Sequence, residues 1–241
     1  MAALRQQTLE ARSEVDVVRI QGAVMRALPV PAYRGSAPTF YQRRGKRLLD
    51  IILGATLFIA LLPFVAAIAL VVLLVSGWPV FYGADRLGRH GHPFRMLKFR
   101  TMVNGAHHML TDLLEAEPAL AREYQENLKL RKDPRRTRLG AVLRRLSIDE
   151  LPQIWQVITG EMSLVGPRPY AVEEAALLSS HPEILDSRPA LTGPWQVAGR
   201  NDLSPRLRIA LDARYVTNVT LAQDVRYLVM TMKSLFRANG R

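Results

Sequence analysis

Asp149 and Glu150 stand side by side in the stretch RRLSIDELPQIWQVITGEMSLVGPRP, residues 144–169. Adjacent acids are ordinary at a helix start. Ser147 and Glu150 make a capping-box pattern, Pro152 suits a first turn, and negative charge there favours the helix dipole. The cations nearby set this pair apart. Arg144 and Arg145 come just before it. Arg168 sits between prolines in Gly166-Pro167-Arg168-Pro169, which restrict the backbone and hold the arginine on a rigid turn. Lys98 and Arg100 lie two apart in an alternating run, hence on one face of a strand. Carboxylates amid that many cations suit a site for magnesium and phosphates, and arginine suits bidentate phosphate contacts. The plainer alternative for Arg168 is an ion pair with Glu161 or Glu173 that holds the turn.

Other chemistries find no motif. Gly83 and Gly88 have P-loop spacing, but Arg89-His90 follows where Lys-Ser/Thr is needed. No D-x-D and no H-E-x-x-H occurs. His90 and His92 flank a glycine as in a surface turn. The chain has no cysteine, which excludes a disulfide scaffold, a thiolate zinc site and a cysteine nucleophile.

The elements that must position these residues read as mostly helical. Phe94–Met102 alternates over a short run and is expected as a strand. Helical spacing covers His107–Leu130, interrupted at Pro118, then Thr137–Leu146, and Leu151–Thr159 ending at Gly160. Glu173–Ser180, Leu207–Tyr215 and the amphipathic Asp224–Phe236 follow. Residues 85–241 are long enough for one domain with its own core. Residues 1–40 mix charge with prolines and read as a mobile tail, in which Val15–Leu28 could form a short basic helix on lipid.

The 241 residues carry a formal net charge of +12, yet 49% are apolar. Charge and apolarity are segregated. From Ile51 to Val75 there are 25 residues without a charge, enough to cross a bilayer core of about 30 Å as a helix. The block starts too late and runs too long for a secretory signal. Pro63 near its middle is expected to kink or break the helix. Both flanks are basic, Arg43, Arg44, Lys46 and Arg47 before and Arg86, Arg89, Arg95, Lys98 and Arg100 after, and the positive-inside rule assigns both to the cytoplasm. A helix that turns at Pro63 and exits on the same face satisfies both flanks. A kinked ordinary span is the alternative, and the residues alone leave the two open. The net charge invites a membrane-tethered nucleic-acid binder, but no helix-turn-helix signature exists and the aromatics do not interleave with the cations.

Five stretches in order carry a resemblance: KRLLDIILGA at Lys46–Ala55, MLKFRTM at Met96–Met102, LRRLSIDELPQIWQVITGEMSLVGPRP at Leu143–Pro169, LTGPWQVAGRNDLS at Leu191–Ser204 and LDARYVTNVTL at Leu211–Leu221. The chain resembles the bacterial sugar transferases, monotopic phosphoglycosyl transferases that prime glycan assembly on a polyprenyl-phosphate carrier, in their compact exopolysaccharide-priming form. The resemblance implies an α+β fold, predominantly helical. It would have a tail over 1–40, a re-entrant helix broken at Pro63 within 41–84, and a catalytic domain over 85–241 on the cytoplasmic face of the bacterial inner membrane. It implies a UDP-hexose donor, a polyprenyl (undecaprenyl) phosphate acceptor, contact with membrane lipids, Mg2+ as cofactor and no nucleic acid. Asp149 would attack the β-phosphate, release UMP and carry the phosphosugar, with Asp149 also at the metal. Glu150 would assist the metal or proton transfer. Lys98, Arg100, Arg144 and Arg168 would hold phosphates or nucleotide, and Asp212 would support cations in the site. The sugar, glucose or galactose by analogy, and the oligomeric state stay open. Two departures stand out. Leu62 precedes the proline where a serine is common, and Pro194 occupies a position more often aliphatic or tryptophan.

Overall fold

A computed structural model describes residues 39–127, 130, 132–199 and 203–238. The expected tail, with its Val15–Leu28 helix, lies outside the described residues except for Thr39 and Phe40. The chain forms two compact units. One takes residues up to Gly54, Asp85–Phe94 and Val157 onward; the other takes Ala55–Ala84 and Arg95–Gln156.

The apolar block is the centre of helix α1, Lys46–Ser76, entered through a π-helical turn at Tyr41–Gly45. At 1.5 Å per residue its 31 residues extend about 46 Å. The residues stay helical across Pro63, so of the expected kink or break the break does not occur, and a kink is the form in which this helix can turn. The proline removes one donor, and the continuous apolar turns on both sides supply the bonds that carry the helix past it. Only 6% of the most apolar 18-residue stretch is buried, so α1 presents most of its surface outward.

In the unit beginning at Ala55, the later part of α1 packs on a polar domain segment. Val72, Val80, Phe99 and Leu143 form a buried cluster flanked by Val65, Ile68, Ala69, Leu139 and Ile148. Each such side chain contributes about 1.5–3 kcal/mol on burial. Before the proline, the Phe58 ring lies 5.5 Å from that of Trp155. Strands β1, Phe81–Leu87, and β2, Pro93–Phe99, form a two-stranded sheet. The strand expected to Met102 stops at Phe99. Beyond it Met102 makes an isolated bridge to Arg136. Helices α2, Ala106–Ala116, and α3, Pro118–Asn127, are divided at Pro118, where the interruption is expected, because the proline starts a new helix. Helix α4, Arg138–Arg145, is capped by Thr137, whose hydroxyl accepts from Gly140 N at 2.9 Å. A 3-10 turn at Ile148–Glu150 leads to α5, Gln153–Thr159, ended by Gly160 in the left-handed region at φ 95°.

In the other unit, β3, Ser163–Val165, pairs in parallel with β4, Ala190–Thr192, in the register Ser163 to Ala190 and Val165 to Thr192. Helices α6, Pro194–Ala198, α7, Pro205–Val216, and α8, Leu221–Ala238, complete it. Glu173–Ser180, expected as an α-helix, is a 3-10 helix over Val172–Leu178. Leu87, Tyr170, Leu178, Ile184, Ile209 and Ala213 form the core here. The foot of α1 is fastened into this unit by polar bonds. Lys46 Nζ donates to Val165 O and Asp224 Oδ2, both at 2.7 Å. Arg47 donates to Val157 O at 2.6 Å and Ile158 O at 2.7 Å. Asp50 accepts from Ser163 Oγ at 2.8 Å and Leu164 N at 3.0 Å.

Candidate active site

Helix α4 ends where Leu146 N donates to Val142 O and Ser147 N to Arg144 O, each at 3.1 Å. Ser147 then adopts φ 57°, a left-handed conformation that glycine favours. Its side chain makes no cap bond, so the expected capping box does not form: the next residues turn as a 3-10 helix rather than opening an α-helix. This turn tucks Asp149 inward, 5% exposed, while Glu150 stays half-open. Burial raises the Asp149 carboxyl above its ordinary range. Lys98 and Arg144 pull it down, and the Glu150 charge pushes it up. Lys98 Nζ sits 2.7 Å from Glu150 Oε1. Arg144 Nε donates to Thr101 Oγ1 at 2.8 Å. Arg144 is exposed as a residue, and partial desolvation lowers its guanidinium without removing its charge.

Lys98, Arg144, Asp149 and Glu150 therefore come together in one unit. Arg100, grouped with Lys98 by alternation, goes elsewhere. The strand ends between them, and the Arg100 guanidinium donates to Ser76 O, to Gly77 O at 2.7 Å, to Trp78 O at 3.0 Å and to Asn104 Oδ1. It is 7% exposed and spent on the carbonyls that end α1, where a cation is favoured. Its geometry is that of an anchor for the apolar helix.

Arg168 and Asp212 meet in the other unit. Asp212, with 0% exposure, accepts from the Arg168 backbone N at 2.8 Å and from Tyr170 OH at 2.9 Å through Oδ2. Burial raises its carboxyl to about 7, and its Oδ1 has no partner. With no open surface, it serves the proline turn through the backbone rather than a ligand directly. The Arg168 guanidinium lies 5.3 Å from the Trp195 ring centre and 5.8 Å from that of Tyr170, with Nη1 3.7 Å from Glu174 Oε1. Its intramolecular carboxylate is thus Glu174, not Glu161 or Glu173. Arg208 faces the same Trp195 ring at 5.8 Å.

Several supporting residues escaped the reading of the sequence. Gln156 is 1% exposed and takes the place of a missing strand, accepting from Leu97 N at 2.8 Å and donating to Arg95 O at 2.9 Å. It fixes β2, and with it Lys98, against α5. The signal was present: a glutamine between the apolar Ile154 and Val157. Thr101, Glu174 and Trp195 gave no such signal, since their roles depend on partners distant in the chain.

Asp149 and Glu150 offer hard oxygen donors, and among the described residues no group of three His, Cys, Asp or Glu is placed to hold a metal. That donor set fits magnesium, which commonly takes one or two carboxylates and completes its shell with substrate phosphates and water.

The bacterial sugar transferase family model matches residues 41–238. The chain is 41% identical over 196 residues, 81% of its length, to the exopolysaccharide production protein ExoY of Sinorhizobium fredii, 87% of which is covered. It is 42% identical over 166 residues to the undecaprenyl-phosphate galactose phosphotransferase of Salmonella typhimurium, covering 68% of this chain and 35% of that protein. The UDP-galactose-lipid carrier transferase of Erwinia amylovora is 39% identical over 81% of this chain and 41% of its own. The chain belongs to the bacterial sugar transferase family.

Proposed function

We propose that this chain transfers a hexose 1-phosphate from a UDP-hexose to a polyprenyl phosphate, with Asp149 as nucleophile. The observation that carries the reading is the Ile148–Glu150 turn, which sets a buried carboxylate beside Glu150, Lys98 and Arg144. In the first step an Asp149 oxygen attacks the β-phosphorus. A carboxyl–phosphate bond forms, the bond to the bridging oxygen breaks, and UMP leaves with the electron pair. In the second step a phosphate oxygen of the lipid attacks the same phosphorus and returns Asp149 as a carboxylate. Burial keeps Asp149 poorly solvated and reactive, and Lys98 and Arg144 hold it ionised and attract the diphosphate. Magnesium, held by Asp149 with Glu150 beside it, would supply neutralising charge on the phosphate oxygens. Arg168 contributes a stacked, oriented guanidinium for a phosphate or nucleotide oxygen pair.

The acceptor lies at the headgroup level, so the enzyme works at the inner face of the bacterial cytoplasmic membrane, with α1 as a re-entrant anchor. Supporting this, Phe58 before Pro63 and Val65, Ile68 and Val72 after it all pack on the segment 99–155 that contains Asp149. Contacts with one segment on both sides of the proline support a path that returns to the face it entered. In the other unit, Leu221, Val225, Val229 and Met232 stay exposed along α8 as an apolar stripe of its own. The net charge of +12 adds attraction to anionic headgroups, about 1 kcal/mol per cation near the surface. Relatives named for galactose make UDP-galactose the first donor to try.

Mass measurement of the intact protein with donor alone tests the reading. Wild type gains one hexose phosphate, and Asp149→Asn, equally folded, gains none and releases no UMP. Turnover by Asp149→Asn above a few per cent of wild type excludes Asp149 as nucleophile. Cysteines placed at Gly45 and Arg89 in turn test topology, since the native chain has none: labelling of both from the cytoplasmic side alone is expected, and periplasmic labelling of either rejects re-entry.

A further inference from the structure

Helix α8 turns an apolar stripe outward. Leu221, Val225, Val229 and Met232, spaced four, four and three residues apart, are 47–52% exposed. The packed side of the helix carries Gln223, Asp224 and Tyr227, all buried. At about 3.6 residues per turn the two sets fall on nearly opposite sides of the helix. The stripe runs for about 17 Å. Apolar residues scattered singly over a surface are ordinary; a continuous row of this kind marks a contact.

The charges of α8 fit that contact. Its one acid, Asp224, is fully buried and accepts from Lys46 Nζ at 2.7 Å and from Tyr41 OH and Tyr215 OH, each at 2.6 Å. Arg226 and Lys233 are exposed on the side adjoining the stripe. An apolar face bordered by cations, with no exposed acid on its own helix, complements a layer of anionic lipid headgroups. A second copy fits less well, because two such faces meeting would bring like charges together with no acid of α8 to answer them.

The position of the stripe also favours lipid. Asp224 precedes Val225 and holds Lys46, the first residue of α1. Leu48, Ile51 and Ile52, on the first turns of α1 and in the same unit, are exposed apolar residues as well. The Lys46–Asp224 pair therefore ties the start of the stripe to the foot of the apolar helix. We propose that α8 lies along the headgroup layer of an anionic bilayer, next to the point at which α1 enters it. This rests on the membrane reading of α1 above and adds a second line of contact. A unit held by α1 alone could turn about that helix, and a second line removes this freedom.

Single cysteines carrying a polarity-sensitive fluorophore test this in the full chain, which has no native cysteine, in nanodiscs of mixed phosphatidylglycerol and phosphatidylcholine. Relative to Ser180→Cys, an exposed site of the same unit, emission from Val229→Cys should be quenched several-fold more by nitroxide-bearing lipid and several-fold less by aqueous iodide. Val225→Asp places a charge on the stripe and should reverse this pattern for a label at Met232→Cys. Arg226→Gln combined with Lys233→Gln should remove the lipid quenching that phosphatidylglycerol adds over phosphatidylcholine alone; an unchanged dependence on phosphatidylglycerol overturns the anionic-lipid assignment. A label at Ile52→Cys on α1 separates the remaining outcomes. Lipid quenching at Ile52 with iodide quenching at Val229 overturns the proposal and leaves the anchor in place. Shielding of Val229 from both quenchers overturns it as well: disulfide-linked dimers of Val229→Cys would then assign the stripe to a second copy, and their absence to another segment of this chain. If the label at Ile52 meets iodide and no lipid, the membrane reading of α1 falls, and this inference with it.

Discussion

Lys98 Nζ lies 2.7 Å from Glu150 Oε1, while the charges of both residues act on Asp149 in opposite directions. If Asp149 is the nucleophile proposed above, its ionised form is the one that reacts, so the acid limb of the pH profile for kcat/KM should lie above the ordinary aspartate range. Lys98→Met removes a charge that lowers the carboxyl and should move this limb to higher pH. Glu150→Gln removes one that raises it and should move the limb to lower pH. UMP release between pH 4 and 9 reads both; shifts of the same sign would assign the limb to another group.

Arg100→Ala leaves the Ser76, Gly77 and Trp78 carbonyls without their charged donor. Charge-assisted bonds of this kind contribute about 1.5–3 kcal/mol. The melting temperature should fall by several degrees, while turnover per folded molecule is largely kept. A loss of turnover without a loss of stability would return Arg100 to the substrate.

Asp212 ties stability to pH through one buried carboxyl raised to about 7. Because the folded form holds the proton more tightly than the unfolded one, its contribution is complete below about pH 4. It is lost as pH rises toward 7. Asp212→Asn keeps an acceptor for Arg168 N and Tyr170 OH but cannot titrate. The advantage of wild type over this variant should therefore shrink between pH 4 and 7; a constant difference across that window would show that Asp212 is ionised throughout.

Gly140 is the narrowest point beneath Arg144. A Cβ there would sit 2.0 Å from Thr101 O, a backbone atom that cannot swing away. Gly140→Ala should push α4 off the chain at Thr101, cost at least about 1–3 kcal/mol, and lengthen the Arg144–Thr101 bond. Turnover should fall more than for Gly105→Ala, which strains a left-handed backbone at φ 72° but meets no neighbouring atom. Equal effects would place the strain elsewhere.

What was legible in the chain follows distance along it. Asp149 and Glu150 announce themselves because their cationic neighbours Arg144 and Arg145 are adjacent in sequence. Helix ends at Pro118, Thr137 and Gly160 were readable because each is a local preference of one residue type. Arg100 was not, because its partners lie 22 to 24 residues earlier and alternation says nothing about where a strand stops. Ser147 carried a correct capping pattern that a left-handed turn overrode. Glu174, one position from the acid proposed for Arg168, shows the limit of turn-level reasoning: the 3-10 helix selects which of two adjacent acids faces inward. Pro63 was read for what it removes, and the helix persists on what surrounds it.

The bonds that fasten the foot of α1 have a consequence for how the chain is made. Arg47 emerges from the ribosome 110 residues before Val157, and Lys46 leads Asp224 by 178. At about 5–20 residues per second, the apolar helix waits on the order of 5–20 s before its first clasp exists. During that interval its apolar surface needs cover from lipid or a chaperone. A nascent chain arrested near residue 140 therefore presents the whole apolar helix before the Ile148–Glu150 turn has been made.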